Sequence, residues 1–348
     1  MARAWLVSFL LSATFAAAAS DRGATLDPGY GPLPGVDASP GSTGLSASQS
    51  DVAWWTGSLL SASAETLTVG HWLIEPYLTN STVESAFDSH GRRHARSSVE
   101  RASTSVYMLY GLANGVSVGA IPRVQLGERA AVDSGTGIGD LTTMLQIRLR
   151  TRDPGKWLPA VALEIAETFP TGKFDRLSGS PDEASGAGVY RTDLALYAQS
   201  LLQVPGGHPL RMRVDLTYSS FDTAAVSDVS SYGTPAGFRG RVHPGPGIAA
   251  DTAFELSLSL RWVLALDVLY SHQRSVSVYG SVVPPIGNRA VTQPLAFAGG
   301  PSASWAIAPA VEYNFNSHVG VIAGLEVTTA GRNVAAERVP AVALNMYF

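Results

Sequence analysis

The sequence predicts an all-β fold: an antiparallel transmembrane β-barrel of about twelve strands, with short periplasmic turns and long extracellular loops. Three observations predict it. Apolar and polar residues alternate with a period of two over strand-length segments. The connections alternate between short and long, and aromatic residues gather near the segment ends.

The chain opens with Arg3, an apolar stretch from Trp5 to Phe15, and the small residues Ala16 to Ala19. Residues 1–19 are therefore expected to be a secretory signal peptide, too short to span a bilayer. Residues 20–65 are rich in Gly, Ser and Pro, broken by Pro28, Pro32, Pro34 and Pro40, and are expected to be flexible. Within them Asp51 to Leu60, carrying Trp54 and Trp55, is an apolar island that predicts a short helix capped by Ser50 or Asp51. A loose periplasmic leader and a segment docked at or inside the barrel both fit this stretch. The barrel is expected to occupy residues 66–348.

From Leu67 onward the period is two. Ser304–Phe315 sets Trp305, Ile307, Pro309, Val311, Tyr313 and Phe315 against Ala306, Ala308, Ala310, Glu312 and Asn314. Leu210–Ser219 and Phe254–Trp262 behave alike, as do Asp140–Arg150, Leu264–Gln273 and Val319–Thr328. Weaker copies run through Leu67–Leu78, Ser103–Leu112, Val116–Gln125, Pro159–Phe169 and Thr192–Leu201. The last strand, Arg338–Phe348, puts Val342, Leu344, Met346 and Phe348 on one oily face. Lipid outside a closed barrel accounts for that face, and Phe348 at its end is the expected contact for barrel-assembly machinery. The segments approach the roughly 9 to 11 residues that cross a bilayer at a tilt, longer than the usual strands of a secreted sandwich.

Short links are expected after the even-numbered strands: Ala113-Asn114, Arg152–Lys156, Pro205–Pro209, the region of Val263, and Asn316-Ser317. Thr171–Gly188, Phe221–Ala250 and Ser275–Pro301 are long loops on the other side. Trp157, Trp262, Phe315 and Phe348 fall near the short-turn ends, and Phe169, Tyr218, Tyr270 and Trp305 near the long-loop ends. Two girdles at the lipid–water boundary follow.

Composition narrows the function. Cysteine is absent, which removes disulfides, thiolate metal sites and a cysteine nucleophile. No basic run with interleaved aromatics appears, so nucleic acid is not an expected partner. The expected partners are outer-membrane lipid and small-molecule solutes; no cofactor and no metal site is expected. His90 and His94 flank Arg92 and Arg93, whose charge repels a cation. An outer-membrane hydrolase needs a Ser and a His on one face, and in Ser271-His272-Gln273-Arg274-Ser275 neither Ser shares the parity of His272. The protein is thus not expected to be an enzyme.

The inward faces carry Glu75, Arg123, Asp140, Arg148, Glu164, Asp193, Arg211, Arg213, Asp215, Glu255, Arg261, Asp267, Glu312 and Glu326 as pore-lining candidates. They fit a polar pore that selects solutes, and equally an interior zipped by Arg–carboxylate pairs, giving a narrow or partly plugged lumen. Pro76, Pro122, Pro309 and Pro340 sit inside strands and each removes a ladder donor, so bulges or a locally open seam are expected there. Glu167 shares the parity of Val161, Leu163 and Ile165 and would point at lipid unless it lies at the rim.

Three stretches resemble the outer-membrane family named for the MetA-pathway of phenol degradation. They are Gly137–Leu149 with its Gly-x-Gly-Asp start, Pro159–Lys173 closing on Pro170-Thr171-Gly172, and Trp55–Leu60 leading to Ile74–Tyr77. The second half of the chain matches only as barrel pattern. The resemblance implies an outer-membrane channel or transporter for small hydrophobic or aromatic molecules. A structural or adhesive barrel acting through its extracellular loops is the alternative.

Overall fold

The structure, a computed structural model, describes residues 53–129, 135–152, 158–283 and 292–348. The expected signal peptide, residues 20–52 and the girdle position of Trp157 lie outside the described residues.

Twelve strands make the barrel. They are β1 (Trp72–Phe87), β2 (Arg93–Ala113), β3 (Val116–Ile121 continuing as Arg123–Arg129) and β4 (Gly137–Ile138 continuing as Leu141–Arg150). Then follow β5 (Ala160–Phe169), β6 (Arg191–Gln203), β7 (Pro209–Phe221) and β8 (Gly247–Ser257). The last four are β9 (Trp262–Gln273), β10 (Ser302–Asn314), β11 (Val319–Arg332) and β12 (Val334–Tyr347). Each pairs antiparallel with its chain neighbours, and β1 pairs with β12, from Leu73↔Tyr347 to Phe87↔Val334. The sheet closes and has no free edge.

Alternation sorts the side chains as a bilayer requires. On β5 to β7, Ile165, Leu194, Leu196, Val214 and Leu216 are exposed, while Glu164, Asp193, Ala195 and Asp215 between them are buried inside. The apolar belt continues through Leu264, Leu266, Ile307, Val311 and Val342. Its lower edge is marked by Trp262 against Tyr313 at 4.7 Å and Trp72 against Tyr110 at 4.8 Å. The upper edge carries Tyr270 against Trp305 at 4.9 Å and Phe169 against Tyr190 at 5.9 Å. A closed sheet with this belt is a bacterial outer-membrane barrel. Glu167 sits at the upper rim, where the Thr192 hydroxyl donates to it at 2.7 Å.

Several expectations are corrected. The strand expected at Phe254–Trp262 runs over Gly247–Ser257, and Leu258–Arg261 make the turn, closed by Leu258 N–H donating to Trp262 O at 2.9 Å. The apolar rhythm ran on through Leu258 and Leu260 and hid this turn. The expected loops between Leu78 and Ser103 and between Thr328 and Arg338 are instead strand. β1 and β2 reach the hairpin at Asp88–Arg92, and β11 and β12 turn at Asn333, whose φ is 50°. Phe87, Val334 and Ala336 bury together in this raised wall. The loops Phe221–Ala250 and Ser275–Pro301 hold a second antiparallel sheet, Ala224–Ser227, Phe238–His243, Ser277–Val282 and Gln293–Ala298, in that order. Its core is Val226, Tyr232, Phe238, Val242, Val276 and Val278.

The prolines interrupt the ladder in different ways. Across Pro122 the pairing with β4 slips by one, from Ile121↔Thr142 to Val124↔Ile138. Beside Pro309 the pairing with β11 lapses between Ile307↔Val327 and Ala310↔Gly324 without a shift. Beside Pro340 and Pro76 the β1–β12 pairing lapses likewise.

Candidate functional site

The interior is crossed by the chain itself. The stretch from Ala53 to Leu67 is not helical in its described part; it is an irregular strand of backbone within the lumen. Trp54 N–H donates to Leu260 O, in the β8–β9 turn, at 3.0 Å. At the other end Leu67 N–H donates to the Ser117 hydroxyl, beside the β2–β3 turn, at 2.9 Å. Those turns lie six strands apart on a twelve-stranded ring, so the segment spans the diameter near the periplasmic end.

The expected helix is absent because the barrel wall takes the donors that a helix would use. Glu312 of β10 accepts Thr56 N–H at 2.7 Å and Gly57 N–H at 3.3 Å. Asp267 of β9 accepts Leu59 N–H at 3.3 Å, Leu60 N–H at 3.3 Å and Ser61 N–H at 3.1 Å. Asp215 of β7 accepts Ala62 N–H at 2.5 Å and the Ser61 hydroxyl at 2.9 Å. Three carboxylates on nearby strands thus hold successive amides, an arrangement suited to ionised groups, which only accept. Arg213 donates to Ser61 O at 2.9 Å, and Asn345 donates to Thr56 O at 3.0 Å.

Beyond Ala62 the hydrogen bonds to the wall are between neutral groups. The Ser63 hydroxyl donates to Gln199 at 3.2 Å, and the Gln146 amide donates to Ser63 O at 2.6 Å. Ala62 and Ala64 pack on Ala160, Ala162, Ala195 and Tyr197. The wall also makes room. A Cβ on Gly320 would lie 2.1 Å from Thr56 Oγ1, and one on Gly324 would lie 2.9 Å from Leu59 Cδ2. The aromatic pair closes the periplasmic side, with the Arg211 guanidinium 4.5 Å above the Trp55 ring and Arg261 5.9 Å from that of Trp54.

The fourteen candidates fall into groups. Asp215, Asp267, Glu312 and Arg213 bond the crossing segment directly, and Arg211 meets it through Trp55. Glu255 pairs with Arg211 and, at 2.8 Å, with Arg213; Glu75 accepts from Asn345 and from the Tyr77 hydroxyl. Others serve the wall. Glu164 accepts from Tyr197 at 2.9 Å, Asp193 from Arg191 at 2.7 Å, and Thr142 from Arg123 at 3.0 Å. Arg148 donates to Asn114 at the β2–β3 turn at 2.7 Å. Asp140 ties down the Thr171–Gly188 loop through Gly172 N–H at 2.9 Å and Ala187 N–H at 2.8 Å. Glu326 faces inward on β11, half-buried. Arg261 does not face inward: it is exposed in the β8–β9 turn, a correction that follows from the displaced strand.

The lining has two sides. β7 to β10 present the charged groups that meet the crossing segment, Arg211, Arg213, Asp215, Asp267 and Glu312. β1 to β4 present the large apolar groups Leu73, Tyr77, Tyr107, Leu109, Ile121 and Met144, which bury with Leu59 and Leu67 in one apolar cluster that smaller residues such as Ala265, Ala308 and Ala310 complete from β9 and β10. Sequence reasoning missed Asn314, Asn345, Gln146, Gln199 and Ser117 because it sought ionisable groups. It missed Asp251 because the β8 segment was started at Phe254.

Among the described residues, no group of three His, Asp or Glu side chains is placed to hold a metal ion. Outside the membrane, Asp88 accepts Arg92 N–H at 2.9 Å, His94 Nε2 at 2.9 Å and His90 N–H at 2.8 Å. These donors, the Arg92 amide foremost, hold its carboxyl well below the usual carboxylate range.

No family model and no curated protein matches this chain. Solved structures do. An outer membrane channel from Pseudomonas putida F1 superposes with a TM-score of 0.62 at 15% identity, covering 82% of this chain and 98% of that one. The translocator domain of the autotransporter NalP from Neisseria meningitidis gives 0.42 at 13% identity, covering 82% and 91%. The toluene transporter TodX of Pseudomonas putida gives 0.40 at 9% identity, covering 90% and 98%. At such identity the first of these likenesses is one of fold.

Proposed function

We propose that this protein is an outer-membrane channel for small apolar or aromatic molecules, which pass through the lumen without covalent chemistry. The observation that carries the reading is the apolar inner wall of β1 to β4, facing a segment whose amides are held on the opposite wall by hydrogen bonds to Asp215, Asp267 and Glu312. Residues 53–67 act as a plug. When the plug shifts, the wall that packed Leu59 and Leu67 is offered to a solute of similar polarity.

The rest of the assignment belongs to the same proposal. Residues 1–19 direct export, and the strand ending at Phe348 engages the assembly machinery. The chain is a member of the MetA-pathway family, whose motif stretches fall on β4, β5 and the crossing segment. The inward charges line the pore. The test is uptake into proteoliposomes of a labelled monoaromatic solute and of a sugar of equal size. Faster entry of the aromatic solute than of the sugar supports the reading, and equal, background-level entry of both counts against it.

One observation favours a second reading. The extracellular sheet has its own buried core, as a folded binding module would. Removing residues 224–243 together with 277–298 should abolish an adhesive function and leave solute entry largely intact.

A further inference from the structure

Asp251 on β8 is 1% exposed and points inward, and its carboxylate oxygens accept no hydrogen bond from another strand or from the plug. Its directly opposed partner on β7 is another aspartate, Asp215. Side chains so opposed hold their Cβ atoms about 4.5–5.5 Å apart, and like charges there repel. Asp215 gives Oδ2 to the plug, while its Oδ1 is also without a partner. Asp267 stands diagonally across on β9, and Glu326 adds further negative field. Arg213 shares the inner face of β7 but is turned to Glu255 and Ser61 O. Three carboxylate oxygens of this opposed pair are therefore buried without a hydrogen bond from another strand, and the one guanidinium set beside Asp215, that of Arg213, is bonded to Glu255 and Ser61 O rather than to Asp251. A buried carboxylate is retained only with a counter-charge or a proton.

We propose that Asp251 and Asp215 form a binding site for a monovalent cation in the lumen, beside the plug. Three oxygens of two carboxylates, without a third acidic ligand in coordinating reach, suit an alkali ion that keeps some of its water, or an ammonium group. A bound cation would also explain why two aspartates can share one cross-strand position while Asp215 stays ionised and holds the plug.

The test uses the refolded full-length mature chain in detergent. Melting is followed at one ionic strength in potassium chloride, methylammonium chloride or N-methylglucamine chloride. The wild type should melt about 2 °C or more higher in the first or second salt than in the third, and the better salt tells the alkali ion from the ammonium group. Asp251→Asn should refold and lose the difference. A wild type indifferent to all three salts, or an Asp251→Asn variant as responsive as the wild type, overturns the site. Should the variant fail to refold, thallium-soaked wild-type crystals decide: anomalous density between the two carboxylates supports the site, and its absence overturns it. An infrared carboxylic-acid band from Asp251 at neutral pH would assign the place to a proton and likewise overturn the proposal. Melting requires no transport, so a failed channel assignment leaves this result readable.

Discussion

Asp267→Asn is the sharpest perturbation of the plug. Asp267 accepts three successive amides, from Leu59, Leu60 and Ser61, at 3.3, 3.3 and 3.1 Å. A hydrogen bond to a charged acceptor contributes roughly 1.5–3 kcal/mol, and these lengths place each near the lower figure. Asparagine keeps one carbonyl oxygen and turns an NH2 towards at least one amide. Losing one to two of the three bonds weakens docking by about 1.5–3 kcal/mol, which multiplies the undocked population roughly 10- to 160-fold. Glu312 and Asp215 still hold their amides, so the segment loosens without leaving the barrel. Planar-bilayer recording reads this directly. The wild type should show small, infrequent conductance, Asp267→Asn larger and more frequent openings, and deletion of residues 53–66 the largest. If neither the substitution nor the deletion changes conductance, the segment does not obstruct the lumen and the reasoning fails.

The remaining predictions probe other links. Gly320→Ala puts a methyl group against Thr56 Oγ1 at 2.1 Å and should loosen the plug by about 1–3 kcal/mol, seen as raised conductance from a barrel of unchanged heat-modifiable gel mobility. Leu216→Arg, on an outward residue 50% exposed within the belt, should cost about 2–4 kcal/mol in urea-driven unfolding from vesicles, whereas the same change in the extracellular Gly179 should cost almost nothing. Asp88 has its folded pKa depressed, so its contribution is complete above the ordinary carboxylate value and is lost only as pH falls through the lower, folded one. Trypsin cleavage after Arg92 should therefore quicken in Asp88→Ala at neutral pH, while the protonation-driven loosening of the wild-type turn should appear only in strong acid, by amide exchange. Pro309→Val together with Pro340→Val supplies two missing donors beside β11 and β1; it should slow entry of apolar solutes and leave ion conductance unchanged if solutes leave sideways there.

What could be read from the chain alone was whatever alternation controls. Strands such as Ser302–Asn314 and Pro209–Phe221 face lipid with one parity and the lumen with the other, so their faces and register are written in the residues. Closure, strand number and both girdles follow from that. The failures have physical causes. Leu258 and Leu260 continue the apolar rhythm into a turn, so periodicity could not end β8, and Asp251 and Arg261 were misplaced with it. The outer sheet was hidden because strands such as Ala224–Ser227 are short and set among Gly and Pro. The path of Thr56–Ser63 depends on acceptors more than 130 positions away, from Gln199 and Asp215 to Glu312, and no local preference encodes such partners. The inward carboxylates were legible as a set; which of them hold the plug was not.

The most direct test of the account is a cross-link between plug and wall in the intact membrane. The chain has no cysteine, so Ser63→Cys with Gln199→Cys introduces one reactive pair where the native side chains meet at 3.2 Å. Thr79→Cys with Ala341→Cys, partners in the closing seam of β1 and β12, serves as the control. A short reducible bis-thiosulfonate linker applied to outer-membrane fractions should join both pairs, and reducing the first should raise conductance of the reconstituted protein. A seam that links while Ser63→Cys and Gln199→Cys stay apart would contradict a segment seated across the lumen.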